Sequence, residues 1–282
     1  MGIYSDILLT VDFDRTLTAP DTTIPARNLE AIRYFVERGG RFTVNTGRSL
    51  PMIRPYMDLI PCNAPLLLYN GSAAYDNGEL VLCHPIELDM TETLSKVAAA
   101  FPELTLEVQG VDGHYSFREN PGWMEFCLAQ HNNPRYASFD DDLGIFLKFS
   151  LYGVFREPTV SHLFQGTPEE VRRMDEAEAW LRATFGEKVE VFRAAPRIID
   201  VHARGVSKKL AARELQAKLG SRVVVCVGDA DNDIPMLDDA DFAYCPADSA
   251  VTDRYETVCG CADGAVADVI YKKIPNILAK QP

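Results

Sequence analysis

The sequence predicts an α/β protein with a doubly wound parallel-sheet core and an inserted α+β domain. Short apolar segments alternate with amphipathic helical segments near both ends of the 282-residue chain. This alternation is typical of a parallel sheet covered on both faces, because its buried strands are apolar and are joined by helices. Between about 83 and 203 the strand-like segments show only partial alternation, which favours a separate domain. We therefore predict a core of 1–82 and 204–282 with 83–203 inserted.

The N-terminal part contains three predicted strands and one helix. An apolar, β-prone run, "ILLTV", ends directly before Asp12 and is typical of a buried strand. The segment "TIPARNLEAIRYFVERGG" predicts a helix, with Pro25 in its first turn and Gly39-Gly40 at its end. Two further strands are predicted in "RFTVNTGR" and "PLLLYNG", and each runs into a turn.

The C-terminal part continues this alternation. Ser207 is the predicted N-cap of the helix "SKKLAARELQAKLG", which Gly220 ends. An apolar strand and an acidic turn follow in "RVVVCVGDADND", and a last helix is expected over about 264–279. In the inserted segment, helices are expected near 91–100 and 168–185, and strands in "LVLCHPIEL", "ELTLEVQGVDGHYSFR", "GIFLKFSLYGV" and "KVEVFRAAPRIIDVHA".

Composition and charge restrict the possible partners. The formal net charge of −13 disfavours nucleic acid and anionic membranes, so neither is an expected partner. No apolar run approaches the roughly 18 residues of a membrane span, and the N-terminus lacks the pattern of a signal peptide. The seven cysteines are scattered, which disfavours a zinc site or a disulfide framework. A reducing, cytoplasmic location is therefore expected.

The polar residues of interest follow the predicted strands. In parallel sheets the carboxyl ends of the strands meet at one edge, where functional groups gather. The residues at these ends are Asp12, Asp14, Thr46, Gly47, Arg48, Asn70 and the run from Asp229 to Asp233. Their convergence predicts a single site and is a stronger indication than any one motif.

The pair Asp12 and Asp14 indicates the chemistry of this site. Residues i and i+2 of a strand point the same way, so two bare carboxylates would repel each other and one would take up a proton. A bound cation, or a division of labour between nucleophile and acid/base, explains such a pair. A simple acidic turn is the alternative. An EF-hand is excluded, because Leu17 and Thr23 occupy the loop positions that require Gly and Glu.

Asp229 is a candidate metal ligand, because it lies directly at the end of an apolar strand. A few hard oxygen ligands suit Mg²⁺, which keeps water and substrate oxygens in its shell. Capping of the following helix is the alternative explanation for Asp231 and Asp233.

Two other segments offer groups for a phosphate. Thr46 and Gly47 can hold phosphoryl oxygens, unless "NTGRS" is only a polar turn. Lys208 lies in the first turn of its helix, where anions rather than cations are favoured, so a bound phosphate would explain its position. The neighbouring Lys209 is the expected surface lysine, although the sequence alone does not assign which of the two points inward.

The remaining candidates favour structural roles. The five histidines show no metal-ligand spacing and are expected at surface or partly buried positions. No serine lies in a nucleophile elbow, and "GVSKK" lacks the spacing of a P-loop. Core packing explains the aromatic residues of the insertion better than substrate contact does: these are Tyr115, Phe117, Trp123 and Phe126.

In their order along the chain, "DFDRTLT", "NTGRS", "YNGS", "RGVSKK", "GDADND" and "DGAVADVI" resemble the motifs of the haloacid dehalogenase (HAD) superfamily. More narrowly, the whole sequence is similar to Cof-type sugar-phosphate phosphatases, which carry a large α/β cap of the IIB type between the second and third motifs. The resemblance implies a Rossmann-like core, an obligatory Mg²⁺ and hydrolysis of small phosphomonoesters.

The resemblance also implies a role for each motif residue. Asp12 would be the nucleophile that forms an aspartyl phosphate, and Asp14 the general acid/base. The implied phosphate ligands are Thr46, Gly47 and Lys208. The implied metal ligands are Asp12, Asp14 and Asp229, with supporting roles for Asn232, Asp233, Arg48 and Asn70.

Departures from the family pattern bear on the substrate more than on the reaction. Arg15 replaces the glycine that is usual after the second aspartate, and "CPADSAVTDRYETV" differs from the usual "MGNA"-like segment. A phosphomutase of the same superfamily and a non-catalytic phosphosugar-binding protein are the alternative functions. The expected partner is a small phosphorylated metabolite, and the expected state is a monomer or a homodimer.

Overall fold

The computed structural model describes residues 2–132, 134–155 and 165–278. The chain divides into two compact units, of which the first is Met1–Leu82 with Ser207–Pro282 and the second is Cys83–Val206.

Helices and strands alternate along most of the first unit, whereas strands predominate in the second. The first unit begins with β1 (Ile7–Val11), α1 (Ala26–Glu37), β2 (Arg41–Val44), α2 (Leu50–Met57), β3 (Leu66–Leu68), β4 (Ala73–Asp76) and β5 (Glu79–Cys83). Next come α3 (Met90–Ala100), β6 (Thr105–Gly110), β7 (His114–Ser116), α4 (Pro121–Ala129), β8 (Pro134–Tyr136), β9 (Phe146–Tyr152), α5 (Pro168–Phe185), β10 (Val189–Ala195) and β11 (Ile198–Ala203). The first unit resumes with α6 (Lys208–Leu219), β12 (Val223–Val227), α7 (Ile234–Asp239), β13 (Phe242–Pro246), β14 (Glu256–Val258), α8 (Ala265–Asp268) and α9 (Ile274–Leu278).

A five-stranded parallel sheet forms the centre of the first unit, in the order β14-β13-β12-β1-β2. Strands β1 and β12 are buried along their whole length, as their almost entirely apolar sequences require. Val11 pairs with both Val44 and Val227, so β1, β2 and β12 end at the same level. Beside β2, a parallel bridge joins Asn45 to Leu67 of β3. The residues that follow these strands therefore reach one edge of the sheet.

A six-stranded, largely antiparallel sheet forms the second unit, in the order β10-β11-β9-β6-β7-β8. Alternation along its strands separates two faces. One face is apolar, and Val108 and Phe149 pack there with Leu181 of α5. The opposite face carries charged groups, among them Lys148, whose Nζ donates to Asp200 at 3.2 Å. The predicted fold class, an α/β protein with a parallel-sheet core and a separate α+β unit, is confirmed.

Two segments differ from the sequence-based expectation. "LVLCHPIEL" does not form a strand of the second sheet, because β5 ends at Cys83 and lies beside β4 in a three-stranded sheet with β3. Pro85 has no N–H to donate to a neighbouring strand, which explains why the strand stops before it. The helix expected over 264–279 consists of α8, a π-helical turn (Val269–Lys273) and α9, and residue 279 lies outside the described residues.

The aromatic residues of the insertion pack in the core, as predicted. Tyr115, Trp123 and Phe126 are buried, and Phe117 packs against the apolar cluster under α3 and α5. Trp123 and Phe126 belong to α4, a helix that the sequence pattern does not predict. Asn120 caps this helix by accepting a hydrogen bond from the Trp123 N–H at 3.0 Å.

Two histidines are more deeply buried than predicted. His114 Nδ1 lies 2.7 Å from Glu107 Oε1, and His202 is fully buried near Asp200 on the same sheet face. Charged neighbours replace water around both rings, which explains why these polar side chains tolerate burial. His162 lies outside the described residues.

All seven cysteines lie in the described part of the chain and are free thiols. Among the helices within the described ranges, none combines the length and the apolar character that crossing a membrane requires.

Candidate active site

Three chain segments meet at the carboxyl edge of the core sheet. Asp12 follows β1, and its N–H donates to the carbonyl of Val227, the last residue of β12, at 2.9 Å. Asp229 lies two residues beyond Val227. Lys208 is the first residue of α6, and its carbonyl accepts a hydrogen bond from Asn45 Nδ2 at 2.8 Å. Backbone and side-chain bonds thus hold the starts of these segments together.

Asp12, Asp229 and Asp233 form a compact carboxylate group. One oxygen of each lies within 4.8 Å of the others, and all three residues are buried. Burial raises the pKa of Asp12 well above its usual value; Lys208 opposes this shift, and the carboxylates of Asp233 and Asp229 add to it. The pKa of Asp229 is raised to about 7, first by burial and then by Asp233. The protein alone therefore does not offset the negative charge that the three ionised carboxylates would carry.

Lys208 is the cation of this group. Its Nζ donates to Asp12 Oδ1 at 2.5 Å and to Asp233 Oδ1 at 2.6 Å, and its side chain is 1% exposed. Burial alone lowers the pKa of the ammonium, but the two aspartates raise it above its usual value, so the lysine stays charged. Lys209 is half exposed and pairs with Asp239 at 2.9 Å. Lys208, not Lys209, therefore points into the carboxylate group.

Asp233 and Thr16 orient their neighbours. Asp233 Oδ1 accepts from Lys208, while its Oδ2 accepts the N–H groups of Asp229 at 2.9 Å and Ala230 at 3.2 Å. Asp229 Oδ1 accepts a hydrogen bond from the Thr16 hydroxyl at 3.2 Å. Both oxygens of Asp233 are engaged in this way, so its carboxylate links the turn after β12 to Lys208.

Thr46, Gly47 and Asn70 connect the turns after β2 and β3. Thr46 is buried, and its Oγ1 accepts the Arg48 N–H at 3.2 Å, so its own hydroxyl hydrogen can point to another acceptor. A Cβ at Gly47 would lie 2.9 Å from Asn70 Oδ1, so a side chain there would push Asn70 away. The Asn70 N–H donates to the Thr46 carbonyl at 2.9 Å, and Asn232 Nδ2 donates to Asn70 Oδ1 at 3.4 Å. These contacts join both turns to the segment after β12.

Asp14 has a different partner from the other aspartates. Arg48 Nε and Nη2 donate to its two carboxylate oxygens at 2.8 and 2.7 Å. The Asp14 side chain is 48% exposed, whereas Arg48 is buried with its guanidinium 4.7 Å from the centre of the Phe13 ring. The structure therefore places the Asp14 carboxylate outside the group of three and in a two-point ion pair.

The carboxylate group fits a divalent cation. Asp12 and Asp229 each keep one carboxylate oxygen without a hydrogen bond in the described part of the chain. Hard oxygen donors are the ligands that Mg²⁺ prefers, and a divalent charge would offset the repulsion seen in the raised pKa values of Asp12 and Asp229. These two residues would hold the ion. The side chain of Asp14, also expected as a ligand, is bound to Arg48.

Two further residues that support the site were not among the predicted ones. Thr16 orients Asp229, and Asn45 holds the first residue of α6. Both lie inside two motifs that follow predicted strands, "DFDRTLT" and "NTGRS". Their position just after an apolar strand could have indicated a role in the site. Their hydrogen-bond partners, Asp229 and Lys208, lie far away in the chain and could not be predicted from it.

Residues 9–270 match the haloacid dehalogenase-like hydrolase family. The chain belongs to this family. The resemblance to the haloacid dehalogenase superfamily is confirmed, and so is the prediction of an enzyme, as a member of this hydrolase family.

Known relatives agree with this assignment. A 5-amino-6-(5-phospho-D-ribitylamino)uracil phosphatase of Bacillus subtilis is 22% identical over 246 residues, which cover 82% of this chain and 84% of the relative. A haloacid dehalogenase-like hydrolase from Bacteroides thetaiotaomicron has a TM-score of 0.77 at 20% identity, with 93% of this chain and 97% of that chain covered. The HAD subclass IIB sugar phosphatase BT4131 has a TM-score of 0.74 at 17% identity, with 93% and 97% covered. At such identities the structural likeness shows the common fold.

Proposed function

We propose that this enzyme is a Mg²⁺-dependent phosphatase that hydrolyses small phosphomonoesters, such as sugar phosphates, through an aspartyl phosphate on Asp12. The observation that carries the proposal is the position of Lys208, hydrogen-bonded to both Asp12 and Asp233, with Asp229 in the same carboxylate group. A nucleophile, a phosphate-binding cation and metal ligands are thus within reach of one phosphoryl group. The phosphatase names of two relatives support the choice of substrate class.

The binding of the phosphoryl group follows from the charges at the site. A phosphomonoester dianion is repelled by three carboxylates unless cations offset them. Lys208 supplies one positive charge, and the Thr46 hydroxyl is a suitable donor for a further phosphoryl oxygen; Gly47 stays a predicted phosphate ligand. Mg²⁺, when bound by Asp12 and Asp229, would act as a Lewis acid and offset the negative charge on the oxygens of the phosphoryl group.

Two carboxylates then divide the chemistry. Asp12 attacks phosphorus in line and forms an acyl phosphate while the bond to the ester oxygen breaks. Asp14, in its protonated form, gives its proton to the leaving oxygen and later takes one from the water that hydrolyses the acyl phosphate. Because Arg48 holds both Asp14 oxygens, each transfer requires at least one of these hydrogen bonds to be released. Arg48 is therefore a positioning residue for the acid/base.

The setting of the reaction is part of the same proposal. We infer a small phosphorylated metabolite as the substrate and the cytoplasm as the location, which the seven free thiols support. A monomer or a homodimer stays the prediction for the oligomeric state.

Phosphate release from p-nitrophenyl phosphate tests the proposal. The wild-type protein should release free phosphate with Mg²⁺ and without a bisphosphate activator, and removal of the metal by EDTA should abolish release. Asp12→Asn removes the nucleophile, so turnover should fall at least about a thousandfold. Far-UV circular dichroism of the variant checks its fold. Unchanged Mg²⁺-dependent turnover in Asp12→Asn contradicts the role of Asp12, and release that requires a bisphosphate activator indicates a phosphomutase.

A further inference from the structure

Arg15 occupies an unfavourable backbone conformation beside the proposed nucleophile. It lies in the turn Phe13–Leu17, one residue after Asp14, with φ 59° and ψ 11°. A residue with a side chain loses about 1–2 kcal/mol in this left-handed region, whereas glycine does not. The Arg15 N–H donates to Thr18 Oγ1 at 3.3 Å, a bond that any residue at this position could make. The backbone therefore gives no reason for an arginine here.

The Arg15 side chain is exposed, and its guanidinium makes no hydrogen bond or ion pair with the described residues. The other cations of this edge are engaged: Arg48 with Asp14, and Lys208 with Asp12. Arg15 alone among these three thus keeps its five N–H donors for a ligand.

Arg15 lies directly between two residues of the site. The residue before it, Asp14, pairs with Arg48, and the residue after it, Thr16, hydrogen-bonds to Asp229. Arg15 also helps to lower the pKa of Asp248, although burial opposes this and the N–H of Cys261 contributes more. A positive charge with open donors therefore stands beside the carboxylate group of a chain whose net charge is −13.

We propose that Arg15 binds a second anionic group of the substrate, so that preferred phosphomonoesters carry a carboxylate or another phosphoryl group on the leaving part. This inference rests on the proposed phosphatase function. A planar guanidinium binds either anion through two parallel N–H donors. Such a contact gives the exposed arginine a partner and explains why an arginine stands where glycine would be favoured.

Matched substrates test the inference. 3-Phosphoglycerate differs from glycerol 3-phosphate by a carboxylate in place of a hydroxymethyl group, and glucose 1,6-bisphosphate differs from glucose 6-phosphate by a second phosphoryl group. The wild-type enzyme should prefer the more anionic member of at least one pair, measured as the ratio of kcat/KM values. Arg15→Asn should lower this ratio about fivefold, mainly through KM, because Asn tolerates the left-handed backbone but lacks the charge. Arg15→Lys should keep part of the preference, and added salt should weaken it in the wild type.

Arg222→Gln is the matched control, because Arg222 is 81% exposed and pairs with Asp6 in the same unit at 3.7 Å. Its ratio should equal that of the wild type. A ratio unchanged by Arg15→Asn, or equal losses for both members of a pair, overturns the inference while hydrolysis of p-nitrophenyl phosphate still supports the phosphatase. If the wild type hydrolyses none of these esters, p-nitrophenyl phosphate included, the proposed function itself fails.

Discussion

At the scale of single residues, the buried ammonium of Lys208 is the group on which its two carboxylate partners depend. Lys208→Met keeps the volume and removes the charge, which leaves Asp12 and Asp233 buried beside each other. The free energy of unfolding should fall by about 3–5 kcal/mol in the absence of Mg²⁺. Phosphatase activity should fall at least about a hundredfold, because a preorganised cation is lost. Urea unfolding followed by circular dichroism, and phosphate release, measure the two effects.

Lys209→Met is the control for this variant. Lys209 is the next residue of the same helix, but it is half exposed and its ion pair with Asp239 lies at the surface. Its removal should change the free energy of unfolding by less than about 1 kcal/mol. Equal losses in the two variants would contradict the assignment of Lys208 to the carboxylate group.

The sequence predicts which residue types form this site better than it predicts their partners. Asp12 and Asp229 are recognisable because each follows an apolar strand, where a carboxylate is unusual. The inward position of Lys208 depends on where α6 begins relative to the sheet, so the sequence leaves the choice between the two lysines open. The ion pair of Asp14 with Arg48 joins residues 34 apart in the chain, and no local pattern encodes it.

At the scale of helices and strands, Gly71 allows the turn after β3 to approach the start of α6 closely. Its φ is +99°, and a Cβ there would overlap the Ser207 carbonyl oxygen and lie 2.9 Å from the carbonyl carbon. Gly71→Ala should therefore displace the start of α6, which carries Lys208, and lower the free energy of unfolding by more than about 2 kcal/mol. Activity should decrease with it, because the ammonium moves relative to Asp12. Urea unfolding and p-nitrophenyl phosphate turnover provide the measurements.

Gly78→Ala is the control, because it introduces backbone strain without a steric overlap. Gly78 has a φ of +85°, and no atom lies within 4 Å of a Cβ built there. The cost of its substitution should be limited to about 1 kcal/mol of left-handed strain, with turnover retained. If the two variants lose the same amount of stability and activity, the contact between Gly71 and Ser207 does not hold α6 in place.

Elements with a strong apolar pattern were predicted well, and the errors have physical causes. Strands β1, β2 and β12 are predicted by their short apolar sequences, which are buried in the structure. Helix α6 is predicted by its N-cap, Ser207, and by Gly220 at its end. Helix α4 was missed because its sequence, "PGWMEFCLA", is apolar on most sides and shows little helical periodicity. Strands β4 and β5 form a hairpin around Asn77 and Gly78, whose φ values of 50° and 85° suit a two-residue turn; Asn-Gly is a local signal of such a hairpin, but strand alternation alone does not reveal it.

At the scale of the whole molecule, the stability of the second unit should depend on pH, because the polar face of its sheet contains a buried histidine. His202 is fully buried there. Burial lowers its pKa to about 3, although Asp200 opposes this shift; Lys148 acts in the same direction as burial. At neutral pH a buried neutral histidine hardly changes the free energy of unfolding. At lower pH the unfolded chain binds a proton at this residue while the folded protein does not, so the free energy of unfolding falls. The usual pKa of a histidine is about 6.5, so the effect should begin near that pH.

The stability of the second unit should therefore fall as the pH decreases below about 6.5. Between pH 7 and pH 5 the unfolded state binds more protons than the folded state at His202, so this residue alone should remove about 2 kcal/mol. Both tryptophans, Trp123 and Trp180, belong to this unit, so urea unfolding followed by tryptophan fluorescence reports on it. His202→Gln should flatten the dependence on pH, whereas His131→Asn, at an exposed position with φ 61°, should leave it unchanged. An equally steep decline in His202→Gln would show that other groups, such as Glu107 or Asp200, cause the acid sensitivity.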